Sequence, residues 1–141
     1  MFPTRAHIET HTEKIIGCAI EVHKTFGAGL LESVYRECMA VEFRNAGLQF
    51  ESERCIKLSY KGVPIKTNLF VDLLVEGIIV VELKAVEALH PIRSSQVITY
   101  LKLANCPAGL LLNFNVTRMK AGVKRLDHPD LYTQKKKELS S

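Results

Sequence analysis

Four β-branched residues in a row, Ile78-Ile79-Val80-Val81, leave a strand with no polar face. Such a run suits a strand buried on both sides, in a sheet with layers packed against it. Glu82-Leu83-Lys84 follows at once, so two charged groups continue the same strand. The preceding strand-like run, Leu69-Phe70-Val71-Asp72-Leu73-Leu74-Val75, carries a third. An ionised group is expensive to bury alone, and these positions are therefore paired with one another or hold a metal.

The two-residue period of a strand puts Glu82 and Lys84 on one face, opposite Val81 and Leu83. Asp72 shares its face with Phe70 and Leu74. Whether the two faces coincide depends on the connection. A two-residue loop at Glu76-Gly77 would pair Val75 with Ile78 and turn Glu82 away from Asp72. Convergence requires an odd-length loop, Glu76-Gly77-Ile78 with Gly77 left-handed, or a bulge further along. Two carboxylates and an ammonium would then meet at one spot, as a buried salt bridge or as a metal centre.

Around this pair the pattern predicts helices over about 6–23, 30–46 and 92–104, and strands over about 55–60, 66–75, 78–85 and 108–114. Ile8, Thr12, Ile15, Ala19 and Val22 form the stripe of the first helix. Leu31, Val34, Tyr35, Cys38 and Val41 are the expected inner face of the second. A turn is expected at Lys61-Gly62, and residues 134–141 read as a frayed tail. The order α-α-β-β-β-α-β points to a mixed sheet with helices packed on it.

At 141 residues the chain fits one domain, 1–141, with its core at about 8–114 and a basic C-terminal extension at 117–141. No apolar run is long enough for a membrane span, and Met1–Lys14 lacks the apolar core of a secretory signal. A cytoplasmic location is expected, with Cys18, Cys38, Cys55 and Cys106 as free thiols. The net charge of +4 is too small to argue for nucleic-acid binding. Arg118, Lys120, Lys124 and Arg125 either contact phosphates or form a solvated face. His7 and His11 have the spacing of paired metal ligands, without a carboxylate motif beside them.

Asp72…Glu82-Leu83-Lys84 resembles the PD-(D/E)XK nuclease signature, with Val71 where a variable proline stands. Gly29-Leu30-Leu31-Glu32-Ser33-Val34-Tyr35 matches the G-x-x-E-x-x-Y motif of the GxxExxY family. Gln96-Val97-Ile98-Thr99-Tyr100 resembles the Q-x-x-x-Y helix of RecB-like members, and the likeness spans about Ile8 to Phe114. It implies an α/β (α+β), restriction-endonuclease-like α-β-β-β-α-β core, its mixed central sheet flanked by helices, with one extra N-terminal helix.

The same resemblance implies a metal-dependent nuclease that hydrolyses phosphodiester bonds of DNA or RNA, with Mg²⁺ as cofactor and Mn²⁺ as a substitute. Asp72 and Glu82 would be the metal ligands, with the Leu83 carbonyl as a further one. Lys84 would orient or deprotonate the attacking water, or stabilise the phosphate charge. Glu32 is either a further ligand, directly or through water, or a helix-surface acid. Gln96 and Tyr100 either touch substrate and metal waters or pack helix to sheet, and Tyr35 is read as core. The competing function is a catalytically inactive module of the same fold that binds nucleic acid or a protein partner. A homodimer or protein partner is compatible with either, and the sequence does not choose the nucleic acid, its strandedness or the mode of attack.

Overall fold

The computed structural model describes residues 1–131, so the tail expected at 134–141 lies outside the described residues. Helix α1 (Arg5–Phe26) starts where the Thr4 side chain accepts the His7 N–H. It buries Ile8, Thr12, Ile15, Ala19 and Val22, as their spacing predicts.

Helix α2 (Glu32–Asn45) departs from the expected face. Tyr35, Met39, Ala40 and Phe43 are buried, Cys38 is half-buried, and Leu31, Val34 and Val41 are exposed. The largest apolar and aromatic residues on the helix, Tyr35, Met39 and Phe43, recur at four-residue spacing and win the core side. Smaller apolar residues on the flank are left to water. The inner stripe therefore runs up to Glu32 rather than Leu31.

The main sheet has strand order β1-β4-β5-β6-β7: β1 (Phe50–Cys55), β4 (Phe70–Val75), β5 (Ile79–Lys84), β6 (Ala108–Asn113) and β7 (Val123–Asp127). β5 and β6 are parallel, joined across α3 (Ile92–Ala104), and the other neighbours are antiparallel. The expected mixed sheet and α-β-β-β-α-β order are thus present. Helices α1 and α2 cover one face over Leu73, Val75, Ile79, Val81, Leu110 and Leu112. Val97 and Leu101 of α3 cover the other over Val71, Val80 and Leu111. Gly109 lets α3 settle, because a Cβ there would stand 2.9 Å from the Val97 side chain.

Three strands go beyond the sequence reading. The strand expected at 55–60 is split between the end of β1 and a separate hairpin, β2 (Leu58–Tyr60) and β3 (Val63–Ile65). That hairpin closes through Lys61 and Gly62, both at positive φ, as a tight two-residue turn requires. β1 and β7 are polar edge strands, and β7 lies within the stretch read as a basic extension. An edge strand pairs on one side only and needs no apolar alternation, which removes the signal a sequence offers. All four cysteines are free thiols. Burial holds the Cys106 thiol up to about 11, where it stays protonated. No helix among the described residues is long and apolar enough to cross a membrane.

Candidate metal centre

The β4–β5 connection has the odd length that convergence needs. Val75 pairs with Ile79, Leu74 with Val80 and Leu73 with Val81, leaving Glu76-Gly77-Ile78 as the loop. Gly77 is left-handed at φ 68°, and Glu76 joins it at φ 54°. The next step of that register falls on Asp72 and Glu82. There side chains replace the backbone ladder: Asp72 N–H donates to Glu82 Oε1 at 3.0 Å, and Leu83 N–H donates to Asp72 Oδ2 at 2.8 Å. Each carboxylate spends one oxygen on the opposite strand. Asp72 Oδ1 faces Arg36 at 3.7 Å, and among the described residues neither it nor Glu82 Oε2 accepts a backbone hydrogen bond.

β4 is irregular at this point. Val71 belongs to the cluster under α3 and Leu73 to the cluster under α1 and α2, although residues two apart normally share a face. Across from Asp72, the β1 ladder skips Glu53, which has φ 52°. The local twist brings the Asp72 carboxylate against the end of β5.

Glu82 is 9% exposed. Burial, and then the charge of Asp72, push its carboxyl up to about 8, against smaller opposing effects of the Asp72 N–H and Lys84. Two cations flank the pair. Lys84 Nζ lies 3.7 Å from Glu32 Oε1, and Arg36 lies 3.7 Å from Asp72 Oδ1 and 2.6 Å from Glu53 Oε1. Arg36 escaped the sequence reading. The available signal was its position four residues after Glu32, on the same helix face.

Tyr35 explains the local placement of Glu32. Its hydroxyl donates to the Gly27 carbonyl at 2.6 Å and accepts the Leu30 N–H at 3.2 Å, while its ring stacks on Phe114 at 4.3 Å. One side chain thereby pins the turn that launches α2, and Glu32 is the first residue of that helix. Asn113 was also missed. It is a buried amide ending the apolar run of β6, and it binds both the N–H and the carbonyl of Val86, fixing the chain just beyond Lys84.

From α3, Tyr100 senses the pair: burial and then the charges of Glu82 and Asp72 push its phenol up. Gln96 is turned to its own helix, where its Oε1 accepts from Arg93 at 3.2 Å. Glu32 faces Lys84 and does not complete a three-ligand cluster. Among the described residues no three His, Cys, Asp or Glu side chains converge as a metal site, and that holds for His7 and His11 too, whose rings meet edge to face at 4.7 Å. Arg125, read as a possible phosphate contact, is bound to Glu9 and Asp127.

Two convergent carboxylates, each with one oxygen not bonded to the opposite strand, are a donor set suited to a small hard cation. Mg²⁺ commonly takes one or two carboxylates and completes its shell with water and substrate oxygens. The raised Glu82 carboxyl has burial as its first cause and the neighbouring charge of Asp72 as its second. Set against known proteins, the chain matches the family model of the PD-(D/E)XK nuclease superfamily over residues 9–126. Comparison with curated proteins returns no match, and neither does comparison with solved structures.

Proposed function

The chain belongs to the PD-(D/E)XK nuclease superfamily, and from that premise we propose that it is a metal-dependent nuclease of the GxxExxY kind, cleaving phosphodiester bonds of DNA or RNA. One observation carries the reading: Asp72 and Glu82 are held against each other at the mouth of β4 and β5, with Glu82 buried and raised to about 8 and Lys84 two residues on. A divalent cation relieves that repulsion. An inert scaffold gains nothing from keeping it.

Asp72 Oδ1 and Glu82 Oε2 are the oxygens available to Mg²⁺ or, in exchange, Mn²⁺, and the Leu83 carbonyl is the proposed backbone ligand. When bound, the ion supplies Lewis acidity toward the phosphodiester. Lys84 holds the attacking water or the phosphate charge by hydrogen bonding. Glu32 acts on the reaction through Lys84, which it pairs with, rather than as a ligand in the arrangement observed. Tyr100 borders the acids from α3 and would contact substrate there. Gln96 follows it only if its bond to Arg93 exchanges. Substrate selection is left to contacts outside the acidic pair, and the proposed working site is the cytoplasm.

Calorimetric titration with Mg²⁺ and Mn²⁺, beside digestion of mixed single- and double-stranded DNA and RNA, tests the reading. Metal binding abolished by Asp72→Asn, together with metal-dependent cleavage, is the expected result. Metal binding without cleavage of any nucleic acid would favour the inactive module, and absence of both would end the proposal.

A further inference from the structure

We propose that the cavity between the last turn of α1 and the 3-10 turn at Met119–Gly122 binds a phosphate of the nucleic-acid strand beside the acidic pair. The cavity measures about 560 Å³, and Lys24, Arg118 and Lys120 all reach its wall. Its lining contains no carboxylate. These three cations form no ion pair among the described residues, whereas Arg125, five residues after Lys120, is spent on Glu9 and Asp127. A concave surface of one sign concentrates counter-charge far better than scattered surface lysines do.

The wall is built, not draped. His23 is buried at the back of the cavity, and its Nε2–H donates to the Val116 carbonyl at 2.8 Å. That bond ties the loop carrying Arg118 and Lys120 to the helix carrying Lys24. Ile20 and Met119 supply an apolar patch in the same wall, suited to the sugar or base attached to a phosphate.

Position relative to the proposed chemistry selects a nucleic-acid strand as the ligand. Phe114 N–H donates to the Lys84 carbonyl at 2.9 Å, and Thr117, at the cavity rim, is three residues further on. Three residues of chain, at most about 11 Å, and one hydrogen bond therefore separate the rim from the Lys84 carbonyl. Gly27, on the opposite rim, is bonded to Tyr35, which stacks on Phe114. A strand whose reacting phosphate lies at Asp72 and Glu82 meets the negative charge of the acidic pair. Three unpaired cations a short step away offset it and fix which phosphate is presented. This assignment rests on the nuclease reading for the identity of the strand, but its test reads binding, with cleavage followed separately.

The test is anisotropy binding of a fluorescein-labelled single-stranded DNA oligonucleotide to the full chain in EDTA, with and without a 5′-phosphate. The cavity variant Lys24→Ala/Arg118→Ala/Lys120→Ala should lose at least about 10-fold in affinity, and its log–log salt slope should flatten by roughly 1 to 2. A matched variant on the β2–β3 hairpin, Lys57→Ala/Lys61→Ala/Lys66→Ala, should change affinity by less than about threefold. All six side chains belong to exposed residues, so both variants should melt with the wild type, and Arg118→Ala alone should give part of the loss. A loss confined to the 5′-phosphorylated probe identifies a terminal phosphate, and an equal loss on both probes identifies an internal one. Equal effects of the two triple variants, or a wild type that does not bind, would overturn the cavity assignment. Cavity-dependent binding by a protein that cleaves nothing would leave the cavity standing and remove the nuclease reading. Cleavage by a protein whose cavity variant binds normally would do the reverse.

Discussion

Asp72 and Glu82 occupy opposite positions on neighbouring strands, yet the bonds joining them run through their carboxylates and not through the backbone ladder. The Asp72 amide holds Glu82, and Asp72 in turn holds the Leu83 amide. The two acids are thereby fixed by the very strands they interrupt.

Glu82→Gln should keep the fold and lose the divalent ion. The Gln carbonyl still accepts the Asp72 N–H, but one negative charge disappears. The folded carboxyl is raised to about 8 from an ordinary 4.5, so the folded state holds its proton more tightly than the unfolded chain. Without divalent ions the wild type should therefore lose stability between about pH 4.5 and 8, at up to about 1.4 kcal/mol per pH unit. Gln does not titrate. Melting temperatures of the two proteins should diverge in favour of the variant across that window, and Mg²⁺ should rescue only the wild type. A difference independent of pH would show that burial of Glu82 carries no such strain.

Lys84→Ala should separate binding from chemistry. Lys84 lowers the cost of ionising Glu82, but it also repels a cation placed beside that carboxylate. Metal affinity should be retained within a few-fold, while turnover falls at least about 100-fold if Lys84 positions the water or the phosphate charge. Glu32→Gln removes the partner of Lys84 and should give a smaller loss in the same direction. Full turnover in Lys84→Ala would remove the proposed mechanism while leaving the fold assignment intact.

Tyr35→Phe isolates the role of the motif tyrosine. The ring still stacks on Phe114, so packing is conserved, but the bonds to the Gly27 carbonyl and the Leu30 N–H are lost. Stranding these groups should cost about 1–3 kcal/mol in a denaturant melt. Metal binding at Asp72 and Glu82 should survive, because α2 contributes no ligand to them. A collapse of metal affinity would place α2 closer to the ion than its ion pairs suggest.

How much of this was legible follows the physics of each residue. The site could be read because charges in an apolar strand are anomalous, and because a period of two fixes which residues share a face. The required loop length followed from the same parity, and Glu76-Gly77-Ile78 has it. β1 and β7 could not be read, since edge strands such as Phe50–Cys55 take their order from the neighbour and not from their own pattern. The face of α2 follows side-chain size and not the count of apolar residues, so Tyr35, Met39 and Phe43 are buried while Leu31, Val34 and Val41 are exposed. Arg36 and Asn113 were invisible for another reason. Each acts on a residue far away in sequence, and only the assembled sheet and helix bring the partners together.

Arg36 gives the last prediction, because its guanidinium stands where a metal ion would compete. It lies 3.7 Å from Asp72 Oδ1, the oxygen of Asp72 not bonded to the Leu83 N–H, and is shared with Glu53. The side chain is about a quarter exposed, so its effect on a nearby ion is screened to about 1 kcal/mol. Arg36→Ala should then tighten Mg²⁺ binding roughly five-fold, the change that 1 kcal/mol corresponds to. Arg36→Lys keeps a cation and should leave affinity near the wild-type value. The same pair divides two roles in turnover. If Arg36 only neutralises Asp72, cleavage at saturating Mg²⁺ should be unchanged in both variants. If it also grips the substrate phosphate through its planar fork, both should raise KM, since a lysine cannot reproduce a two-point contact. Weaker Mg²⁺ binding in Arg36→Ala would contradict the competition and make Arg36 a positioning residue that holds the Asp72 carboxylate in place.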